Sequence, residues 1–259
     1  MGLKALSLEG RNAVTIGGTT GIGRAISLGL AEAGANVIAS SRDAEHVNRV
    51  ASEIEQYGRR TIRKTSDVTD RSSLERLRDA AVAECGRIDI LVNCAGKSQL
   101  IPTLDITEED WNRILEINLT GTLRACQIFG RHMLENGYGR VINILSMSSF
   151  VALYRVTSYA AAKSGAAALT RSLAIEWGPL GVNVNGIAPG FFLTQLTQKM
   201  LEGTPRGREV LMRTPLKRFG RLEEVAGAAV YLASDAASFV NGEIIVIDGG
   251  ILASGVNQI

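Results

Sequence analysis

Apolar residues in this chain recur in two alternating patterns. Short, β-branched runs occur at Ala13–Ile16, Val37–Ala39, Ile88–Val92, Val141–Leu145, Val182–Ile187 and Ile244–Ile247. Such runs predict parallel strands buried on both faces. Thr61–Lys64 is a weaker, more polar candidate, as an edge-side strand would be. Between the runs lie amphipathic segments near Ile22–Ala33, Ala44–Tyr57, Ser72–Glu84, Glu108–Glu135, Ser158–Trp177 and Leu222–Ala233, which predict helices. Thr107, with Asp110 three residues on, resembles a helix start. The alternation predicts a doubly wound α/β fold, with about seven parallel strands, helices on both faces and right-handed crossovers. The chain shows no proline-rich linker, low-complexity segment or repeat, so residues 1–259 are expected to form one domain. The longest stretch without a clear strand or long helix is Gly190–Phe219, and residues 190–219 are expected to form a substrate lid.

Composition narrows the class. The 259 residues are 46% hydrophobic and 21% charged, enough for a sizeable core and against disorder. A net charge of +2 gives no bulk attraction to nucleic acid or to an acidic membrane. Cys85, Cys94 and Cys126 form no CxxC pair and no even disulfide set, which fits a reducing cytoplasm. His46 and His132 are the only histidines, so no clustered metal site is expected. No run approaches the roughly 18 apolar residues of a membrane span. Met1–Leu8 has one lysine and no long apolar run, so it does not read as a signal peptide. Gly2 invites a myristoylation reading, but Leu6 stands where Ser or Thr is wanted. Glycine is the outlier at 28 residues, against an average of roughly 7%. It shows no triplet period, and prolines number only 5, which excludes collagen.

Part of that glycine has an address. The first predicted strand runs into Gly17-Gly18-Thr19-Thr20-Gly21-Ile22-Gly23 and then a helix. Glycine lets a phosphate approach the main chain, and the helix N-terminus offers free N–H groups and a positive dipole end. The spacing is Gly-x3-Gly-x-Gly, which alone fits either a tight strand–helix turn or a dinucleotide site. Its place in the first βα turn favours the dinucleotide. The second strand ends at Ser40-Ser41-Arg42. An acidic side chain there would read a ribose 2′-hydroxyl, whereas a cation suits a 2′-phosphate, so Ser41 and Arg42 favour NADP(H), with NAD(H) possible.

Tyr159-Ala160-Ala161-Ala162-Lys163 puts a phenol and an ammonium at i and i+4, on one helix face. A nearby lysine favours the phenolate and lowers a pKa that is about 10 unperturbed. Such a pair on its own is common on solvated helix faces. The alanines around it suggest close approach by another element. Ser146, ending a buried strand, can meet a substrate oxygen.

With Asp67-Val68, Asn93-Cys94-Ala95-Gly96, Asn118, Pro189-Gly190-x3-Thr194 and Asp248-Gly249-Gly250 added in order, the chain resembles the short-chain dehydrogenases/reductases over essentially its full length. The resemblance implies a Rossmann-type single domain and hydride transfer between a nicotinamide and an alcohol or ketone. By position it implies Tyr159 as catalytic acid/base, Lys163 holding the nicotinamide ribose and lowering the tyrosine pKa, Ser146 polarising the substrate oxygen and Asn118 placing a relay water. It also implies Asp67 and Val68 at the adenine and Asn93, Ala95 and Gly96 along the cofactor. Pro189, Gly190 and Thr194 would lie by the nicotinamide amide. Two positions depart from the pattern. Ile16 replaces a threonine, removing a hydroxyl that could tie the glycine loop to the Asn93–Gly96 turn, and Cys94 replaces a second asparagine. Cys94 is expected to be a small buried residue without reactive character.

Within the family, Arg213–Arg221, Ala226–Ala229 and Phe239–Gly242 look most like gluconate 5-dehydrogenases and related sugar or polyol dehydrogenases. A 3-oxoacyl-[acyl-carrier-protein] reductase is the alternative. Those enzymes carry basic residues where this chain has Glu135-Asn136-Gly137 and Pro179-Leu180, which argues against an acidic carrier. Lys97 and Arg155 lie in segments expected to rim the pocket, where they would either meet a sugar-acid carboxylate or be solvated. A non-catalytic, cofactor-sensing protein on the same fold is a third reading, and the intact Ser146, Tyr159, Lys163 and Asn118 speak against it. The resemblance further implies a homotetramer, with long helices at one dyad and the C-terminal strand, with Gly249-Gly250 through Ile259, near another.

Overall fold

A computed structural model of the chain describes residues 3–195 and 197–255, so 256–259 of the C-terminal segment expected at a dyad lie outside it. A six-stranded, all-parallel sheet forms its centre. The strands are β1 (Asn12–Ile16), β2 (Asn36–Ser40), β3 (Ile90–Asn93), β4 (Gly139–Ile144), β5 (Val182–Pro189) and β6 (Ile244–Ile247). Their spatial order is β2-β1-β3-β4-β5-β6. The helices are α1 (Gly21–Glu32), α2 (Ala44–Gln56), α3 (Arg71–Cys85), α4 (Glu108–Leu115), α5 (Gly121–Glu135), α6 (Thr157–Trp177), α7 (Gln198–Leu201), α8 (Pro205–Arg213) and α9 (Leu222–Ala233). Among the described residues, no helix is long and apolar enough to cross a membrane.

Successive strand residues point to opposite faces, and this period of two builds two cores from one set of runs. Ala13, Ile90, Val92, Ile142 and Ile144 join Ile26 and Leu30 of α1 and Val225, Ala229 and Leu232 of α9. Val14, Ile16, Leu91 and Val141 join Leu74 and Leu77 of α3 and Phe129 and Met133 of α5 on the other side. Phe129, Ile26 and Leu30 are fully buried, each contributing roughly 1.5–3 kcal/mol by removal from water. Thr107 starts α4 as predicted, its hydroxyl accepting the Asp110 N–H at 3.1 Å.

Two expectations need correction. Thr61–Lys64 is not a strand, so the count among the described residues is six. The chain there follows β2 through scattered bonds, with Val37 N donating to Arg60 O and Ser66 N to Ser41 O. Arg60 N turns to the Asn36 side chain, and no continuous ladder forms. The segment Glu108–Glu135 is not one regular helix. A π turn at Glu116–Thr120 separates α4 from α5, and such turns recur at functional sites.

The strand order reverses between β1 and β3, which opens a crevice at their carboxyl ends. The loops after β1, β2, β3, β4 and β5 all emerge at that end.

Candidate active site

The glycine loop after β1 is shaped by steric necessity. Gly17 has φ +77°, and a Cβ there would lie 2.5 Å from Ala95 N. A Cβ on Gly23 would lie 2.0 Å from Gly17 O. The main chain is thus bare at the start of α1, and Thr20, the N-cap residue, makes no side-chain bond to the first turn. That leaves N–H groups of α1 directed at the crevice, which suits a pyrophosphate. Thr19 donates to Ser41 Oγ at 2.7 Å, joining the loop to the end of β2. Ile22 is partly buried against the core that α1 covers. The hydroxyl missing at Ile16 does not free the loop, because Cys94 N donates to Ile16 O at 2.8 Å.

Arg42 is exposed and makes no ion pair among the described residues, while Asp43 is occupied capping α2 through bonds from Glu45 N and His46 N. Asp67 accepts the N–H and hydroxyl of Thr69, which hold its carboxyl below the usual range against the effect of burial, and Arg42 adds to that lowering. Val68 is buried, with its carbonyl held by Arg124 at 2.6 Å. Ser41, Arg42, Asp67 and Val68 therefore line one end of the crevice.

Asn93, Ala95 and Gly96 lead from that end to the centre. Asn93 Nδ2 donates to Asn143 Oδ1 at 2.9 Å, and Asn143 Nδ2 to Thr170 Oγ1 at 3.0 Å, a buried tie from β3 through β4 to α6. Asn93 Oδ1 is buried without a protein partner. Asn118 sits in the π turn and is fully buried. Its amide binds both main-chain groups of one residue, accepting from Lys97 N at 3.3 Å and donating to Lys97 O at 2.8 Å. A Cβ on Gly96 would lie 2.9 Å from Asn118 Oδ1 and 3.7 Å from Lys163 Nζ, so Asn118 and Lys163 meet around that bare position.

Lys163 is 5% exposed and donates from Nζ to Ile144 O at 2.7 Å. Burial depresses its ammonium to about 8. Nζ lies 5.7 Å from the Tyr159 ring centroid. Burial pushes the Tyr159 phenol up to about 12, and the hydrogen bond from Ser146 pulls it the other way. The net effect on Tyr159 in this structure is upward, and the Lys163 ammonium is held by the β4 carbonyl. Ser146 stands just past β4 and caps a short turn over Met147–Ser149. Cys94 carries no nucleophile, since burial pushes its thiol up to about 11.

At the far end, Gly190 N donates to Ile247 O at 2.8 Å, continuing the line of β5 from Pro189. Thr194 is fixed by Thr197, whose hydroxyl accepts from Thr194 N at 2.9 Å and donates to Phe192 O at 2.6 Å. A Cβ on Gly21 would lie 3.3 Å from Thr194 Cγ2, which closes the crevice back onto the glycine loop. Residues 190–219 carry α7 and α8, and both roots are tied down, Gly220 N to Phe191 O and Leu216 N to Gly249 O. A 140 Å³ cavity lies beside these roots, lined by Phe191, Phe192, Arg218 and Asp248 among others. Arg155 has φ +65°, and its carbonyl accepts from Ile101 N at 3.0 Å, which joins the two segments carrying Lys97 and Arg155. Thr197, Asn143 and Ser148 were not singled out from sequence. Only Ser148 had a usable signal there, two residues beyond Ser146. Among the described residues, no group of His, Cys, Asp or Glu could hold a metal ion.

The geometry agrees with the comparisons. A family profile described as enoyl-(acyl carrier protein) reductase matches residues 17–252. D-threitol dehydrogenase of Mycolicibacterium smegmatis is 42% identical, covering 94% of this chain and 93% of that protein. 2-Dehydro-3-deoxy-D-gluconate 5-dehydrogenase of Escherichia coli is 40% identical, covering 97% and 99%. The crystal structure of a gluconate 5-dehydrogenase from Burkholderia cenocepacia, in complex with NADP and tartrate, superposes with a TM-score of 0.94 at 34% identity, covering 98% and 99%.

Proposed function

The chain belongs to the short-chain dehydrogenase/reductase family, and from that membership we propose that it interconverts a secondary alcohol and a ketone on a sugar, sugar acid or polyol, using NADP(H). The observation that carries this reading is the meeting of Ser146, Tyr159, Lys163 and Asn118 at the centre of a glycine-walled crevice. The bare main chain of Gly17–Gly23 and the uncapped start of α1 fit a pyrophosphate, and unpaired Arg42 with Ser41 fits a 2′-phosphate. Asp67 and Val68 border the adenine, Asn93, Ala95 and Gly96 run along the cofactor, and Pro189, Gly190 and Thr194 border the nicotinamide. When bound, NADP(H) supplies or accepts the hydride.

In the reductive direction the Tyr159 hydroxyl gives its proton to the ketone oxygen as negative charge develops there. Ser146 donates a hydrogen bond to that same oxygen. Lys163 holds the ribose hydroxyls and replenishes the proton through a water placed by Asn118. In oxidation each proton moves the opposite way.

The segments leaving the carboxyl end of the sheet carry an excess of cations. Residues 190–219 contain Lys199, Arg206, Arg208, Arg213, Lys217 and Arg218 against Glu202 and Glu209. The neighbouring rim adds Lys97 and Arg155. This surplus supports an anionic sugar acid, and the segment 190–219 acts as the lid over it. The reading includes a cytoplasmic homotetramer. Exposed Ile175 and Leu180 near one face, and Phe239 and Val246 near β6, support the assembly.

The test is NADPH- and NADH-linked turnover on gluconates, D-threitol, ketohexoses and a 3-oxoacyl ester. Preference for NADPH with a sugar acid or polyol is expected, and Tyr159→Phe should bind cofactor without turnover. Wild type inert on every carbonyl and alcohol would favour a cofactor-sensing protein. If Arg155→Ala leaves kcat/KM for sugar acids unchanged while neutral polyols are poor substrates, Arg155 has no part in carboxylate binding.

A further inference from the structure

We propose that Arg124 is a positioning residue for this reaction, one arm of its guanidinium holding the turn that borders the adenine and the other holding the π turn that carries Asn118. The inference rests on the reading in which Asp67 and Val68 border the adenine and Asn118 serves the proton relay.

Both contacts of the fork have only one possible polarity. Arg124 stands near the start of α5. Its Nη1 donates to Val68 O at 2.6 Å, and its Nη2 donates to Glu116 Oε1 at 2.8 Å. A guanidinium can only donate, while a carbonyl and a carboxylate can only accept. The Arg124 side chain is 16% exposed, so water competes little for either arm. The two acceptors belong to different parts of the crevice. Val68 follows Asp67 in the turn that leads into α3. Glu116 opens the π turn Glu116–Thr120, in which Asn118 is fully buried.

The spacing marks the Glu116 contact as a bridge. Side chains on one helix pair at three or four residues, and residues eight apart lie about 12 Å along a regular α-helix. Arg124 reaches eight residues back, across the π turn in which Gly121 N donates to Glu116 O. The bonds inside the adenine-side turn are short-range. Thr69 gives its N–H and hydroxyl to Asp67 Oδ1, and Asp67 N donates to Ser73 Oγ at 3.1 Å. The donation from Arg124 crosses 56 residues and fixes that turn against α5. The two are in close contact there, since a Cβ on Gly121 would lie 2.8 Å from Val68 Cβ. Because the guanidinium is planar and rigid, it sets the spacing of its two acceptors. One side chain thus places the adenine border relative to the turn that holds Asn118.

The test uses purified full-length wild type, Arg124→Met, Arg124→Lys, Glu116→Ala and Asp67→Ala. Calorimetry measures binding of adenosine 2′,5′-bisphosphate, which carries the adenine and the 2′-phosphate without a nicotinamide. Oxidation of gluconate or D-threitol, whichever the wild type turns over, gives kcat at saturating NADP. Arg124→Met is expected to raise Kd for the bisphosphate roughly tenfold, about the worth of one charged hydrogen bond, and to lower kcat roughly threefold to tenfold. Glu116→Ala leaves the Val68 arm in place, so it should lower kcat by a similar factor with Kd unchanged. Arg124→Lys keeps the charge but has a single tip, so at least one of the two losses should remain. An unchanged Kd in Arg124→Met overturns the proposal, as does an unchanged kcat in Glu116→Ala. An equal rise of Kd in Glu116→Ala and Arg124→Met, the mark of a general loosening, overturns it too, and so does full recovery of both properties by Arg124→Lys. The bond from Arg71 Nη2 to Gln127 Oε1 at 2.7 Å also ties α3 to α5 and is untouched by these substitutions. If Arg124→Met is nevertheless insoluble, Arg124→Lys and Glu116→Ala decide by the same criteria. Wild type that does not bind the bisphosphate, or Asp67→Ala that binds it equally well, would instead break the adenine reading beneath the proposal.

Discussion

Replacing Lys163 with methionine should reveal how much stability the fold gives up to keep an ammonium beside Tyr159. Lys163 is 5% exposed, and burial depresses its pKa from 10.5 to about 8. At about 1.4 kcal/mol per tenfold in ionisation, that depression corresponds to about 3 kcal/mol. The sign follows from proton binding. The folded-state pKa lies below the unfolded one, so between pH 8 and 10.5 the unfolded chain holds more protons and stability rises with pH. Below pH 8 the whole cost is present. Methionine removes the charge and also the 2.7 Å donation to Ile144 O, a loss of about 1–3 kcal/mol at any pH. At pH 7 the variant should therefore lie between neutral and about 2 kcal/mol more stable than wild type, and near pH 10.5 about 1–3 kcal/mol less stable. The difference between the two proteins should move by about 3 kcal/mol across that window. Urea unfolding followed by circular dichroism, at matched protein concentration because assembly adds stability, measures it. A difference that stays constant from neutral pH to the alkaline end would refute the buried-ammonium argument. The same variant should be folded and without turnover.

Other perturbations test other parts of the site. Arg42→Ala should raise KM for NADPH roughly 10–100-fold and leave KM for NADH nearly unchanged, the loss of a charge-assisted contact to a phosphate; equal effects on both cofactors would remove Arg42 from the 2′-phosphate. Gly23→Ala would place a methyl 2.0 Å from Gly17 O, so calorimetry should detect no NADPH binding and Tm should fall with a loss of about 1–3 kcal/mol. Thr204 caps α8 through Gly207 N at 3.0 Å. Thr204→Ala should weaken that helix by about 1 kcal/mol and raise KM for the alcohol without changing KM for NADPH, if 190–219 is the lid.

What the sequence made legible depended on how local the cause was. The strands could be read because burial on both faces demands apolar residues at every second position on each side, and Val14 and Val141 on one face with Ala13 and Ile142 on the other satisfy both demands at once. Thr61–Lys64 misled because β-branched residues beside an edge resemble a strand whether or not the backbone ladder closes. The π turn at Glu116–Thr120 leaves no local mark, since neither glycine nor proline interrupts it. Only the hold of Asn118 on the main chain of Lys97, a contact across 21 residues, makes its purpose visible.

The site itself divides along the same line. Side-chain identities at the ends of β1, β3 and β4 could be read because each chemistry needs its own residue type at that place. The state of those side chains could not, because it is set by what surrounds them. Tyr159 and Lys163 one turn apart suggested a lysine-lowered phenol. In the folded chain burial acts on both, driving the phenol up to about 12 and the ammonium down to about 8. Two groups pushed toward neutrality by the same burial hold a transferable proton only if a third supplies a directed hydrogen bond. Ser146 is that group, its hydrogen bond acting against the burial of the phenol. A sequence records which hydroxyls are present; only the turn over Met147–Ser149 sets Ser146 and Ser148 3.0 Å apart.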